Sequence, residues 1–474
     1  MTPSRSSKQQ NRYLYFALLL LVAFIPIPHG GERFWEHAPF IVGAFALLSI
    51  WSFQQWHYNR PLPNVIRSCK IPLALLIAWL AYTIIQALPL PESWVTLFNP
   101  AAAEIQHHAL ALGAESLMSL SISAQDTLHE FLRNASYIAL FFLALVLCTS
   151  KKRVKWLAIT LFLVGVAQAL YSLINYYSDG AFSFVGAIEP WGIPWRKATR
   201  GTYSHYNHFA ALMEITIAIG IGITLTYAQR SQRGDRARSL LGQLLSFAMS
   251  IRMLYAFGIL LMIAALILTA SRGGSGAFAA AFFITLITFA VLKKGDTRAL
   301  KLLLVTAIIL VSALVLITPG RLDDRFGKQG VGANGRDHMR TITYELAADY
   351  PLVGSGTGTY PHIYYQYKPP KLGVSAMSKR AHNDYLELLT DQGIIGVSLL
   401  GASMILLLST IIKGIRTRRD PVMQGLLFGS TLGIGSIMIH SLVEFNFHIP
   451  ANASYFFILL AIGISASTLP RQRQ

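Results

Sequence analysis

The chain has 474 residues, 53% of them hydrophobic and only 13% charged, with a formal charge of +18 and two cysteines. A soluble protein carries about 25% charged residues, so this composition is that of an integral membrane protein. Apolar runs long enough to cross hydrocarbon as helices, no two-residue alternation, and cations gathered in the turns exclude an outer-membrane barrel and a nucleic-acid partner.

The pattern predicts an all-α polytopic fold with about twelve transmembrane helices. In chain order the spans fall at 13–28, 39–56, 71–88, 133–149, 156–176, 207–227, 253–270, 274–292, 302–317, 393–412, 422–440 and 451–469. The first run lacks a small-residue cleavage site and reads as a signal anchor. A loop with His107, His108, Glu115, Asp126 and Glu130 separates the third and fourth spans. The stretch 239–252 reads as an interfacial amphipathic piece. A long polar segment, 319–392, precedes the tenth span, and residues 336–349 within it carry helical apolar spacing. The whole chain, 1–474, reads as a single transmembrane domain. Cys69 and Cys148 are too few for a zinc site or a disulfide framework, and no metal site or cofactor is expected.

Lysine and arginine set the orientation. The termini and even-numbered turns hold 25 of them; the odd-numbered turns hold 15, nine of these in the long polar segment. The positive-inside rule then puts both termini in the cytoplasm and the odd-numbered turns on the outer face.

That frame gathers the polar chemistry on one side. His205, Asn207 and His208 enter the sixth span after Arg200. Ser271-Arg272-Gly273-Gly274 joins the seventh and eighth. Arg336 and Arg340 lie in the long segment, and His440, Glu444, Asn446 and His448 follow the eleventh span. Arg272 is the sharpest arginine: the glycines after it admit a close approach, and a guanidinium fork suits phosphate, although a snorkelling interfacial residue is the plain alternative. Glu214, inside the sixth span, reads either as a partner of the site or as a hydrogen-bonding group between helices. The G-x-G-x-G at 354–358 lacks the preceding strand and cytoplasmic setting of a dinucleotide fingerprint.

The most informative stretch runs from Arg380 to Gly396. Asp384 and Glu387 fit a capping box, and Gly393 fits a helix end, which predicts a short helix with His382 at its start and Tyr385 one turn on. Lys379 and Arg380 beside His382 are expected to lower its pKa, leaving a neutral imidazole suited to a general base.

At these residues the sequence resembles the O-antigen ligase and polymerase superfamily of bacterial inner-membrane glycosyltransferases. The family pattern of His, then Asn, Ser or Gln, nine residues, Gly, two residues, then Gly, Thr or Tyr is met by His382-Asn383, Gly393 and Gly396. The Arg200–Asn207 entry, the Arg272 turn, the Arg336 helix with its Pro-x-x-Gly-x-Gly exit and the 440–450 segment resemble it in family order. The resemblance implies transfer of a glycan from an undecaprenyl-diphosphate carrier, without metal or nucleotide, to an acceptor hydroxyl at the periplasmic face. It implies His382 as the base and Arg200 and Arg272 as diphosphate ligands, with Arg336 a further cation. Asn383, Tyr385, Gly393, Gly396, His205, Asn207, His440 and Glu444 would support them. The lipid tail would lie between spans, among membrane lipids. Trp191, Trp195, Tyr360, Tyr364 and Tyr365 are either sugar platforms or ordinary interfacial aromatics. The acceptor is lipid A-core for a ligase, a glycan for a polymerase, or a protein hydroxyl for an O-oligosaccharyltransferase; ligase is favoured. A lipid-oligosaccharide transporter is the alternative from another class, and it calls for polar sites at the membrane midplane.

Overall fold

Apolar residues outnumber what a helix stripe needs, so most helices here are apolar all round and settle against lipid or one another. The computed structural model describes residues 5–59, 61–113, 117–182, 198–231, 250–293, 330–368 and 379–470. Its helices are α1 (Arg5–Phe24), α2 (Phe34–His57), α3 (Asn64–Ser68), α4 (Lys70–Ala87), α5 (Glu92–Phe98), α6 (Pro100–Ala111), α7 (Ala124–Leu147) and α8 (Lys151–Tyr177). They continue as α9 (Tyr206–Ser231), α10 (Ile251–Leu268), α11 (Arg272–Leu292), α12 (Gly330–Asp349), α13 (Tyr360–Tyr367), α14 (Asp384–Thr417), α15 (Pro421–His440) and α16 (Pro450–Thr468).

Among the described residues ten helices are long and apolar enough to cross a membrane, and α1 adds a shorter apolar helix over Asn11–Phe24. The chain is an all-α polytopic membrane protein, as expected. The predicted ninth span, at 302–317, and nearly all of the interfacial piece at 239–252 lie outside the described residues. The loop after the third span is instead largely helical: it folds into α5 and α6, and α7 starts at Ala124, nine residues before the predicted span.

Burial grades the bundle. α9, α15 and α16 are enclosed by neighbours, whereas α10, α11 and α14 turn most of their surface outward. The α9–α15 contact is close because glycines meet there. A Cβ on Gly222 would lie 2.4 Å from the Gly425 carbonyl, and one on Gly425 would lie 2.3 Å from the Gly222 carbonyl. Small residues that let backbones touch are the usual means of helix association in lipid.

Side-chain bonds tie the helix ends into two groups. At one end Tyr15 donates to the Arg153 carbonyl, Lys151 pairs with Asp420, and Arg418 donates to the Ser467 and Leu469 carbonyls. At the other, Ser204 donates to Glu32, the Ala451 N–H bonds the Gly30 carbonyl, and the Asp384 N–H bonds the Ser441 carbonyl. The first is a basic end and the second a polar end, which is the partition the turn charges predict.

α14 is broken at Gly393, whose φ of 58° and ψ of −169° are non-helical. The glycine loop at 354–358 wraps this break. Ser355 and Gly356 donate to the carbonyls of Thr390 and Asp391, and Ile394 donates to the carbonyl of Pro351. Gln86 of α4 donates to the carbonyls of Val353 and Asp391, and Tyr82 to those of Val353 and Gln392. A helix interrupted among apolar spans exposes backbone groups that lipid cannot satisfy, and these bonds satisfy them. The G-x-G-x-G is thus a backbone clasp.

The predicted helix at 336–349 is part of α12. Its Ile342 and Leu346 are buried against Tyr360, Ile363 and Tyr364 of α13 and Ala381, so its apolar face is covered by protein. Tyr360 and Tyr364 are consequently core residues and no sugar platforms, while Tyr365 is 42% exposed. Trp191 and Trp195 lie outside the described residues.

Candidate functional site

The site forms where the segment 379–383, the start of α9, and the turn between α15 and α16 meet at the polar end. The helix that follows His382 is capped by Asn383, whose Oδ1 accepts from the Tyr385 and Leu386 N–H groups. This replaces the expected Asp384 capping box. Asp384 is one residue inside the helix and instead accepts from the Phe447 N–H at 3.0 Å. Glu387 does reach back, but to the Ala381 N–H, at 2.8 Å.

His382 has φ 50°. A non-glycine residue with positive φ is uncommon and stores strain, which the cap and its side-chain bond hold in place. Its Nδ1 lies 2.5 Å from Glu444 Oε1. Glu444 is 1% exposed, and its other oxygen accepts from Asn207 Nδ2. A carboxylate at Nδ1 fixes the tautomer: Nδ1 carries the hydrogen and Nε2 presents its lone pair. The His382 side chain keeps 24% exposure, so that lone pair belongs to a ring open to the site. Phe445 packs edge-on against both His382, at 4.9 Å, and His208, at 4.5 Å.

The charge next to His382 is therefore a carboxylate and not the expected pair of cations. Arg380 turns the other way: its guanidinium is 2.8 Å from Glu387 Oε1 and 4.0 Å from Glu130, which also pairs with Arg133. His448 joins this network, with Nδ1 2.9 Å from Asp384 Oδ1 and Nε2 3.1 Å from Glu387 Oε1. Burial, together with the Arg380 and Arg133 charges, holds the His448 imidazole well below its usual range. Only the Nδ1–Asp384 contact is a hydrogen bond; the Nε2–Glu387 contact is one of distance. Glu387 faces the Arg380 guanidinium, whereas Asp384 bonds His448 and the Phe447 N–H.

This difference in partners separates two substitutions. Asp384→Asn keeps the shape of the side chain and is expected to leave the melting temperature within a few degrees of wild type. Glu387→Gln removes the close partner of the partly buried Arg380, leaving Glu130 at 4.0 Å, and is expected to cost about 3 kcal/mol. Thermal melts of the two variants in detergent check the contrast; equal losses would refute it.

Glu387, Asp391 and His448 bring ligand atoms within 4.8 Å of one another. Their atoms are already engaged, however. Asp391 accepts from the Gly358 and Tyr360 N–H groups, at 2.7 and 3.1 Å, and the others bond as described. The trio is a structural knot that does not fit a cation.

The other expected residues divide. His205 accepts the Asn207 N–H through Nδ1 at 3.2 Å and its ring lies 5.4 Å from that of His208. Arg272 is the exposed first residue of α11, behind its Ser271 cap, and Arg200 is half-buried in the segment before α9. Arg336 lies in α12. Tyr385 donates to the Met438 carbonyl at 2.8 Å, joining α14 to α15. Gly393 and Gly396 serve the break in α14. His440 is 1% exposed and faces Glu214 at 2.8 Å, and Ser436 donates to the other Glu214 oxygen. Glu214 thus links α9 to α15 through His440 and Ser436, the interhelical reading of it.

Beside Phe445 opens a cleft of about 740 Å³ lined by Glu32, Arg33, Arg133, Tyr365, Lys379, Arg380 and His448, among others. One wall is the α1–α2 turn, held by a 2.5 Å His29–Glu36 bond and a bridge from His29 to Tyr203. The sequence pattern gives no sign that this turn belongs to the site, since its partner is 174 residues away.

Among known protein families, the O-antigen ligase family model matches residues 257–401, from within α10 to the middle of α14. No curated protein matches the chain.

Proposed function

Because the chain belongs, through residues 257–401, to the O-antigen ligase and polymerase superfamily, we propose that it moves a glycan from an undecaprenyl-diphosphate carrier to an acceptor hydroxyl, with His382 as general base. Glycan transfer of the O-antigen ligase type is the chemistry of that family. The observation that carries the assignment of the base is the His382–Glu444–Asn207 array, which leaves Nε2 as the proton acceptor.

The acceptor proton passes to His382 Nε2 as the acceptor oxygen bonds the anomeric carbon. The bond from that carbon to the diphosphate oxygen breaks, and its electron pair leaves with the carrier. Attack opposite the leaving group inverts the anomeric centre. Diphosphate leaves best when its charge is met by cations rather than by an acid. Arg272 and Arg200 are assigned to that task, with Arg336 as a further cation, so the transfer calls for no metal. The cleft beside Phe445 is assigned to the acceptor, with Tyr365, Arg33 and Lys379 as its contacts.

The gathering of cations at the other end supports cytoplasmic termini and a periplasmic site in a bacterial inner membrane. Concentration of polar groups at one end, not at mid-membrane, favours a transferase over a transporter. Lipid A-core is the favoured acceptor; a glycan or a protein hydroxyl would make the enzyme a polymerase or a protein-directed transferase.

Reconstitution tests this directly. Proteoliposomes given a labelled lipid-linked glycan and each of the three acceptors should release undecaprenyl diphosphate and label lipid A-core. Label on free glycan or on protein would reassign the acceptor, and no transfer to any of them would refute the proposal.

A further inference from the structure

His440 is not used in the transfer step, yet it is buried and faces the start of α11. Glu214 and His440 are both nearly inaccessible, at 0% and 1% exposure. Nδ1 of His440 lies 2.8 Å from Glu214 Oε1, a contact at ion-pair distance but off the hydrogen-bond line. A buried carboxylate without a cation is costly, and this histidine is the group placed to neutralise it. Its other nitrogen is directed at α11. A Cβ on Gly273 would lie 3.3 Å from His440 Nε2, and one on Gly274 would lie 3.2 Å from the ring Cε1 and 2.7 Å from Glu214 Oε1. The ring and carboxylate thus occupy the space that side chains at 273 and 274 would fill. Nε2 has no bond to any described residue.

What Nε2 faces is the first turn of a 21-residue helix. Ser271 caps the Gly274 N–H at 3.2 Å, and the Gly273 N–H has no acceptor within the first turn. The turn entering this helix is strained, since Ala270 has φ 54°. A helix N-terminus, a guanidinium at its first residue and a buried imidazole aimed at the same turn share one preference, an anion with several acceptor oxygens.

We propose that His440, charged through its pairing with Glu214, donates from Nε2 to a phosphate oxygen of the lipid diphosphate seated on the first turn of α11. This rests on the diphosphate-linked donor of the proposed function and adds a second histidine–glutamate pair of opposite purpose. Glu444 makes His382 a proton acceptor. Glu214 makes His440 a fixed donor that meets negative charge on the leaving group. His440 thereby acts on binding and departure of the carrier and takes no proton from the acceptor.

Binding of farnesyl diphosphate to the full-length protein in detergent is the test, with farnesol and inorganic pyrophosphate as separate arms. His440→Phe and Glu214→Gln are each expected to weaken farnesyl diphosphate about 10- to 100-fold, the worth of one charge-assisted bond. His440→Gln, which retains a donor, should recover part of that loss. Farnesol binding should not change, and pyrophosphate should follow the diphosphate lipid. Melting temperatures confirm that the variants fold. Gly401→Ala, whose added Cβ meets nothing within 4 Å, should bind farnesyl diphosphate as wild type does. Unchanged affinity in folded His440→Phe and Glu214→Gln, or equal losses for farnesol, would overturn the proposal and leave the role of His382 to the transfer assay.

Discussion

Glu444→Gln is expected to lower kcat for glycan transfer by about 10²- to 10⁴-fold while leaving KM for the lipid-linked donor unchanged. The reason is tautomeric. Asn207 donates to one oxygen of residue 444, so a glutamine there keeps its carbonyl toward Asn207 and turns its amide hydrogens toward His382 Nδ1. Nδ1 then becomes the acceptor, and the ring hydrogen moves to Nε2, where the base is needed. The shape of the side chain is kept, so folding is little affected. Steady-state kinetics in proteoliposomes measure the effect, and a kcat within threefold of wild type would mean that Glu444 does not set the base.

Gly393→Ala is expected to remove most folded protein, with a loss of about 4 kcal/mol or more. The φ and ψ of Gly393 lie in a region that essentially only glycine enters. A Cβ there would also stand 2.3 Å from the Leu352 carbonyl, and one at Gly354 would stand 2.3 Å from the Asp391 carbonyl. The two backbones have closed on each other, and neither side can yield without breaking bonds that seal the interrupted helix. The yield of monodisperse protein and its melting temperature report this. Gly401→Ala is the control, since nothing lies within 4 Å of the Cβ it would add. Equal behaviour of the two variants would show that the clasp is not needed.

Among the described residues hydropathy was enough to read the long apolar helices, because a span leaves a continuous signal about twenty residues long; the short helices α5 and α6 leave none and were read as a loop. Asn383 shows where local reading stops. Asp384 and Glu387 have capping-box spacing, but Asp384 is drawn away by Phe447 and His448, some sixty residues on, and the cap falls to its neighbour. Arg380 shows the same thing in its charge. In sequence it flanks His382; in the fold it is claimed by Glu387 and by Glu130 from α7. His382, Asn207 and Glu444 were each legible as polar residues at one membrane depth, but their contact joins positions up to 237 apart. Turn spacing carries no record of such pairings. The His motif marks two different things: His382 belongs to the candidate site, and Gly393 to the fold that holds it.

The central claim is that His382 is the base and that Glu444 acts only through it. Rates of transfer from a labelled undecaprenyl-diphosphate glycan in proteoliposomes, for His382→Ala, Glu444→Gln and the double variant, test it most directly. The account predicts that His382→Ala lowers transfer by about 10²-fold or more while retaining donor binding, and that adding Glu444→Gln lowers the residual rate no further. Transfer by His382→Ala within tenfold of wild type, or multiplying losses in the double variant, would contradict it.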